Sequence, residues 1–190
     1  MRGIDDSAGS SYGTVNGTIT HTQLTPGQRV SLGLPGSNAP EVHGRFMAVS
    51  SASDFTHVIG TISSFSPGIE MGAFFTDGAK AAVCGLLGSA GNNGEALTGY
   101  GVATSTGPQS PYTLTAGREW PPYFAGPIYW QLSWVSSART MSCSVSNDGY
   151  VWSPVWSDSM PYLTPIGIGY YLNNDFGTDF NSYLTVWGYR

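Results

Sequence analysis

Acid–base hydrolysis needs two carboxyl groups held together, so the glutamates are the first residues to test for chemistry. Glu41, Glu70, Glu95 and Glu119 are isolated from one another, and no two of them alternate along a short run in the way a glycosidase pair on one strand would. His21, His43 and His57 have no metal-type spacing and are expected to be ordinary surface or core residues. The segment Asn173-Asn174-Asp175-Phe176-Gly177-Thr178-Asp179 gathers hard oxygen donors, which makes Asp175 and Asp179 calcium candidates. Its plainer reading is a solvated turn, since two carboxylates in a Gly-containing loop are ordinary. No cofactor and no catalytic constellation is expected, and the chain is expected not to be an enzyme.

Aromatic side chains are the other candidates for function. The 190 residues include six Trp and eleven Tyr, more than one core of this size must hold. Trp120-Pro121-Pro122-Tyr123-Phe124 is the strongest such group. Two successive prolines remove two backbone donors and break strand alternation, so these rings cannot all follow a strand inward. Trp120, Tyr123 and Phe124 are therefore contact or glycan-binding candidates, with a stiff loop closing the end of the domain as the plainer reading.

Around these residues the chain has the texture of one β domain. Charged residues make up 10% and Gly supplies 26 positions, whereas aromatics reach 13%, enough to build a core. One lysine and six scattered arginines within a net charge of −5 leave no basic stripe for nucleic acid. No run approaches the roughly 20 apolar residues of a membrane helix, and the first residues lack the apolar segment of a signal peptide, so synthesis in a cytoplasm is expected. Cys84 and Cys143 are too few for a disulfide framework or a zinc site. The plainer expectation is a buried thiol at Cys143, alternating with Met141 and Val145, and a Cys84–Cys143 bridge is the alternative.

Short β-branched or aromatic runs bounded by turn residues predict strands near 45–49, 57–62, 70–75, 81–87, 97–102, 128–135, 140–145, 150–152, 166–171 and 183–187. Asp77-Gly78 and Asn147-Asp148-Gly149 sit where hairpin turns would fall. Asp148 and Gly149 are read as a structural turn, with Trp152 packing on the sheet beyond it. Residues 1–40, rich in Gly, Ser, Thr and Pro, are expected to be an extended arm or edge strands, and 41–190 a sandwich. Helix should be minor.

The run Thr140-Met-Ser-Cys-Ser-Val-Ser-Asn-Asp-Gly-Tyr-Val-Trp152, after Tyr129-Trp130 and before Ile166-Gly-Ile-Gly-Tyr170, resembles the concanavalin A-like lectin and glucanase superfamily. Glu70-Met-Gly-Ala-Phe-Phe-Thr-Asp-Gly78 is similar to an earlier strand and hairpin of that fold. The resemblance implies an all-β, two-sheet antiparallel jelly roll. It does not fix function, because that fold carries lectins, glycosidases and viral surface proteins. With the low charge and the Gly/Ser/Thr-rich N-terminal arm, the chain looks like a virion structural protein of a tailed bacteriophage. Capsid decoration on the particle exterior leads, ahead of a tail or fibre adhesin for host glycan or a free carbohydrate-binding module. Expected partners are other virion proteins and further copies of the chain, for instance a trimer, with a surface glycan as candidate ligand and neither nucleic acid nor membrane.

Trp120 allows a two-sided test. If it anchors a contact face, Trp120→Ala weakens assembly or ligand binding by roughly 2 kcal/mol and changes stability less. If it packs in a core, the same change costs about 3 to 5 kcal/mol of stability, read by urea unfolding.

Overall fold

The computed structural model describes residues 10–14, 20–25, 29–34, 41–63, 69–90, 96–105, 113–119, 127–159, 161, 163–174 and 182–189. Its strands are β1 (Ser10–Thr14), β2 (Thr20–Thr25), β3 (Arg29–Leu34), β4 (Glu41–Ala48), β5 (Phe55–Ser63), β6 (Ile69–Thr76) and β7 (Ala81–Ala90). They continue with β8 (Ala96–Ser105), β9 (Thr113–Glu119), β10 (Ile128–Val135), β11 (Thr140–Ser146), β12 (Ser153–Asp158), β13 (Gly167–Asn174) and β14 (Ser182–Tyr189). No helix occurs among the described residues.

The strands form two seven-stranded sheets. Sheet I has the order β1-β4-β13-β6-β7-β8-β9, and sheet II the order β12-β11-β10-β5-β14-β3-β2. Every pairing is antiparallel. The first forty residues supply an edge of each sheet, β1 beside β4 and β2 beside β3. Two differences from the sequence reading stand out. Tyr150-Val151-Trp152 is not a strand, because the turn before it extends to Trp152 and β12 begins at Ser153. β12 itself, with Pro154 and a register shift opposite Cys143 and Ser144, is the edge of sheet II, the place where a strand tolerates a missing N–H.

Period-two alternation builds the core. Along β10, Ile128, Trp130, Leu132 and Trp134 are buried, and along β11 Met141, Cys143 and Val145 are. From sheet I, Met71, Ala73, Phe75, Ala82, Cys84, Ile168, Tyr170 and Leu172 meet them. The two buried indoles of this core are both hydrogen-bonded. The Trp130 indole N–H donates to Thr61 Oγ1 at 2.8 Å, and that of Trp134 donates to the Ser51 carbonyl at 2.9 Å.

Cys84 and Cys143 form a disulfide, with Cα atoms 6.5 Å apart. The expectation of a buried thiol at Cys143 is therefore corrected. Both sulfurs are buried, but a sequence separation of 59 is no obstacle, because β7 and β11 face one another across the two sheets. A bridge closing a loop of that length stabilises by about 4 kcal/mol in the chain-entropy picture.

A second buried cluster lies on the opposite face of sheet I, where Phe74, Ala81, Val83 and Tyr171 pack with the partly buried Phe46. Phe74 meets Phe46 and Tyr171 edge-on, with centroids 6.3 and 6.4 Å apart. The register makes room for these rings. Gly44, Tyr171, Gly72 and Gly85 follow one another across four neighbouring strands. A Cβ at Gly85 would collide with the Tyr171 hydroxyl, and one at Gly44 would lie 2.9 Å from the Phe74 ring. The aromatics lie over glycines, the arrangement by which a ring compensates a bare stretch of sheet.

Thr61 and Trp130 give the test of the main core. Thr61→Val keeps the shape but leaves a buried indole N–H without its acceptor, so it should cost about 1–3 kcal/mol in urea unfolding. Trp130→Phe added to it should cost less than the two single changes summed, and full additivity would show that the hydrogen bond contributes nothing.

Candidate functional site

The outward face of sheet II is built from the residues that alternate with its core set. On β10 these are Tyr129, Gln131, Ser133 and Val135, and on β11 Thr140, Ser142, Ser144 and Ser146. On β5 they are Thr56, Val58 and Gly60. All of these side chains are uncharged. The pairing aligns Ser157, Ser142, Ser133 and Thr56 in one row across four strands, and the hydroxyls of Thr56 and Ser133 lie 3.0 Å apart. A neighbouring row runs Tyr129, Gly60 and Trp187, with the buried Gly60 between two aromatic positions.

This face ends at the β11–β12 connection, where the sequence placed Asp148, Gly149 and Trp152. Ser146 is the last residue of β11, and its hydroxyl accepts the Gly149 N–H at 2.8 Å and donates to Asp148 Oδ1 at 2.9 Å. Asp148 Oδ1 also accepts the N–H groups of Tyr150 and Val151 at 2.8 and 2.9 Å. Those two N–H groups, Val151 first, and then the Ser146 hydroxyl hold the Asp148 carboxyl below its ordinary value of 3.8. Gly149 has φ 76°, the left-handed region that glycine enters without steric cost, and a Cβ there would lie 3.6 Å from the ring of Tyr129. The result is a turn of six residues, 147–152, held by one carboxylate.

That turn presents an apolar tip. Tyr150 is 82% exposed and Val151 73%, the two most exposed large hydrophobic residues among those described, while Trp152 is half-buried behind them. A tyrosine fixed at a rigid tip can stack on a ligand with little loss of side-chain freedom. Sequence reasoning assigned this turn a structural role and did not anticipate the tip. The signal was present in Tyr150-Val151, two large residues placed directly after an Asp-Gly pair.

Trp120, Tyr123, Phe124, Asp175 and Asp179 lie outside the described residues. Among the described residues no three His, Cys, Asp or Glu side chains form a metal-holding group. His57 sits opposite Leu132, and burial lowers its pKa below 6.5, which favours the neutral ring. Gly9-Ser10-Ser11-Tyr12-Gly13 matches the Gly-x-Ser-x-Gly pattern of a nucleophile elbow. Ser11 lies within β1, paired to Arg45 of β4, and not on the strand-to-helix turn that such a nucleophile needs.

The fold is a concanavalin A-like jelly roll. No protein-family model matches the sequence, and no curated protein does. Among solved structures the chain is similar to the legume lectin-like domain from Entamoeba histolytica, with a TM-score of 0.60 and 10% identity over 97% of this chain and 90% of that one. It is also similar to the CBM2 module of the evolved Dit of Lactobacillus casei BL23 phage J-1, with a TM-score of 0.58 and 9% identity over 95% of this chain and 90% of that one. A third likeness is to the GH43 protein BlXynB from Bacillus licheniformis, with a TM-score of 0.58 and 12% identity over 90% of this chain and 34% of that one. The chain thus corresponds to about a third of that protein.

The turn is open to a pH test. Because the folded state lowers the Asp148 pKa, the stability the carboxylate confers is present above 3.8 and is lost as pH falls through the depressed folded value. The melting temperature of the native chain should fall on acidification below 3.8, and that of Asp148→Asn should fall less over the same range. Parallel acid limbs in the two proteins would show that the carboxylate does not hold the turn.

Proposed function

We propose that this domain is a carbohydrate-binding jelly-roll module, with the outward face of sheet II and the Tyr150–Val151 tip as its glycan-contact surface. The observation that carries this reading is the chemistry of that face: hydroxyls, one carboxamide and tyrosine on three adjacent strands, without a charged side chain. Neutral sugars are bound by such a set, since hydroxyls and amides match sugar hydroxyls while an aromatic ring covers the C–H face of a pyranose. The names of two structural neighbours, a legume lectin-like domain and a CBM2 module, support the same class.

In this reading the module binds and does not hydrolyse, because no two described glutamates share a site. Glu41 and Glu70 are two strands apart but pair with successive residues of β13, Asn174 and Asn173, positions on opposite faces of the sheet, and Glu70 and Glu119 are three strands apart, about 14 Å at the usual strand spacing. Glycosidase carboxyl pairs work at roughly 5 to 9.5 Å. The likeness to a phage protein's module supports a position on a virion surface, where the domain serves as an adhesin. Capsid decoration is the second reading, since that likeness supports a virion surface without saying which part of the particle, and its partners would be neighbouring virion proteins and further copies of the chain.

A glycan array with the isolated domain separates these readings. Micromolar binding to a defined neutral oligosaccharide is expected, and Tyr150→Ala should weaken it by roughly 2 kcal/mol, about thirtyfold, while leaving stability within about 0.5 kcal/mol of the native value. A silent array together with incorporation into particles would replace the glycan-binding reading with decoration.

A further inference from the structure

We propose that the oxidation state of Cys84 and Cys143 is set once, while the chain folds, and is then held in either direction by the closed sandwich. Each cysteine is 1% exposed and belongs to the main core cluster. Neither sits on an edge. Cys84 lies in β7 between Ala73 of β6 and Val102 of β8, and Cys143 lies in β11 between Leu132 of β10 and Trp156 of β12. Access from either side therefore means parting a paired ladder, and access from the core side means separating the sheets.

Exchange chemistry needs what this site denies. To form the bridge from glutathione disulfide, the thiolate of one cysteine attacks it and releases one glutathione. The second cysteine then displaces the other glutathione from that mixed disulfide. Two thiols and one glutathione disulfide become one bridge and two glutathione thiols, and two electrons pass to glutathione. The intermediate carries a whole tripeptide on a core sulfur, and the attacking group is an anion that an apolar core disfavours. Reduction by dithiothreitol meets the same barrier in reverse. A chain folded in a reducing cytosol therefore keeps two buried thiols afterwards, and one folded in oxidising surroundings keeps its bridge. The pair records where the chain folded. That separates a protein folded before release from a host cell from one folded after export, whatever its ligand.

The test uses the full chain in both forms, with cysteines alkylated under unfolding conditions and counted by intact mass. Bridged protein is exposed to dithiothreitol, and protein refolded with its thiols reduced is exposed to glutathione disulfide. Both should convert no faster than they unfold by tryptophan fluorescence, and raising the reagent should bring each rate to a plateau at the unfolding rate. Conversion that exceeds the unfolding rate would overturn the proposal. So would failure of the reduced chain to fold, since no reduced sandwich would then exist to be held.

Discussion

Cys84 and Cys143 can share a bond only where β7 and β11 lie back to back across the core, and that placement decides which face of each strand looks inward. Once Cys143 points in, the period of two sends Met141 and Val145 in with it and Thr140, Ser142, Ser144 and Ser146 out. β10 pairs with β11 residue for residue, so Trp130, Leu132 and Trp134 must join the core and Tyr129, Gln131 and Ser133 the surface. A slip of one residue would bury serines and expose two tryptophans. The bridge and the aromatic seam thus specify the same register twice, once by a covalent bond and once by burial.

The turns that end these strands follow one scheme. At the β6–β7 hairpin the Thr76 hydroxyl accepts the Gly78 N–H at 2.9 Å, and Asp77 Oδ1 accepts those of Ala79 and Lys80 at 3.0 and 2.6 Å. At the β11–β12 turn Ser146 and Asp148 do the same for Gly149, Tyr150 and Val151. In both, a hydroxyl on the last strand residue holds the glycine and a carboxylate holds the two N–H groups that follow. The difference lies in what the turn carries: small or flexible side chains at Ala79 and Lys80, an exposed aromatic and a valine at Tyr150 and Val151. The same local chemistry closes one hairpin and displays an exposed tyrosine on the other.

Much of the sandwich was legible because β10, β11 and β13 alternate or run apolar between clear turn residues, and because Asp-Gly marks both hairpins. β9 and β12 were not anticipated. Ser153-Pro154-Val155-Trp156-Ser157-Asp158 reads as a breaker by composition, yet an edge strand needs ladder bonds on one side only and accepts the proline at a register shift. The bridge was legible only as the alternative to a buried thiol, since sequence separation carries no information about which strands face one another across a core. The outward face of sheet II could have been found. Its residues are the other half of the alternation that identified the core, and asking what Thr140, Ser142, Ser144 and Tyr129 do outside would have located it. The aromatic layer on sheet I could not, because the glycines that admit it align only through the pairing of four strands.

The low charge of the chain follows from how its two sheets use their outer faces. On sheet I, residues facing away from the main core form a second buried cluster of Phe74, Ala81, Val83 and Tyr171, with the Phe74 and Tyr171 rings against Gly44 and Gly85, where charge would be unfavourable without a partner. On sheet II the outer face of β5, β10 and β11 is in contact with solvent, but it is wetted by hydroxyls and not by ionic groups. A hydroxyl surface loses little when another neutral polar surface replaces its water, because each O–H both donates and accepts and can be matched again. A lysine or glutamate surface would lose ionic hydration in the same step and hold its partner at the length of a long side chain. In the proposed glycan-binding role, Ser133 and Ser142 would let a ligand approach the sheet backbone, and Tyr150, exposed at the tip, would supply the apolar area that short hydroxyl residues lack. The composition that first marked this chain as unusual is the composition such a face requires.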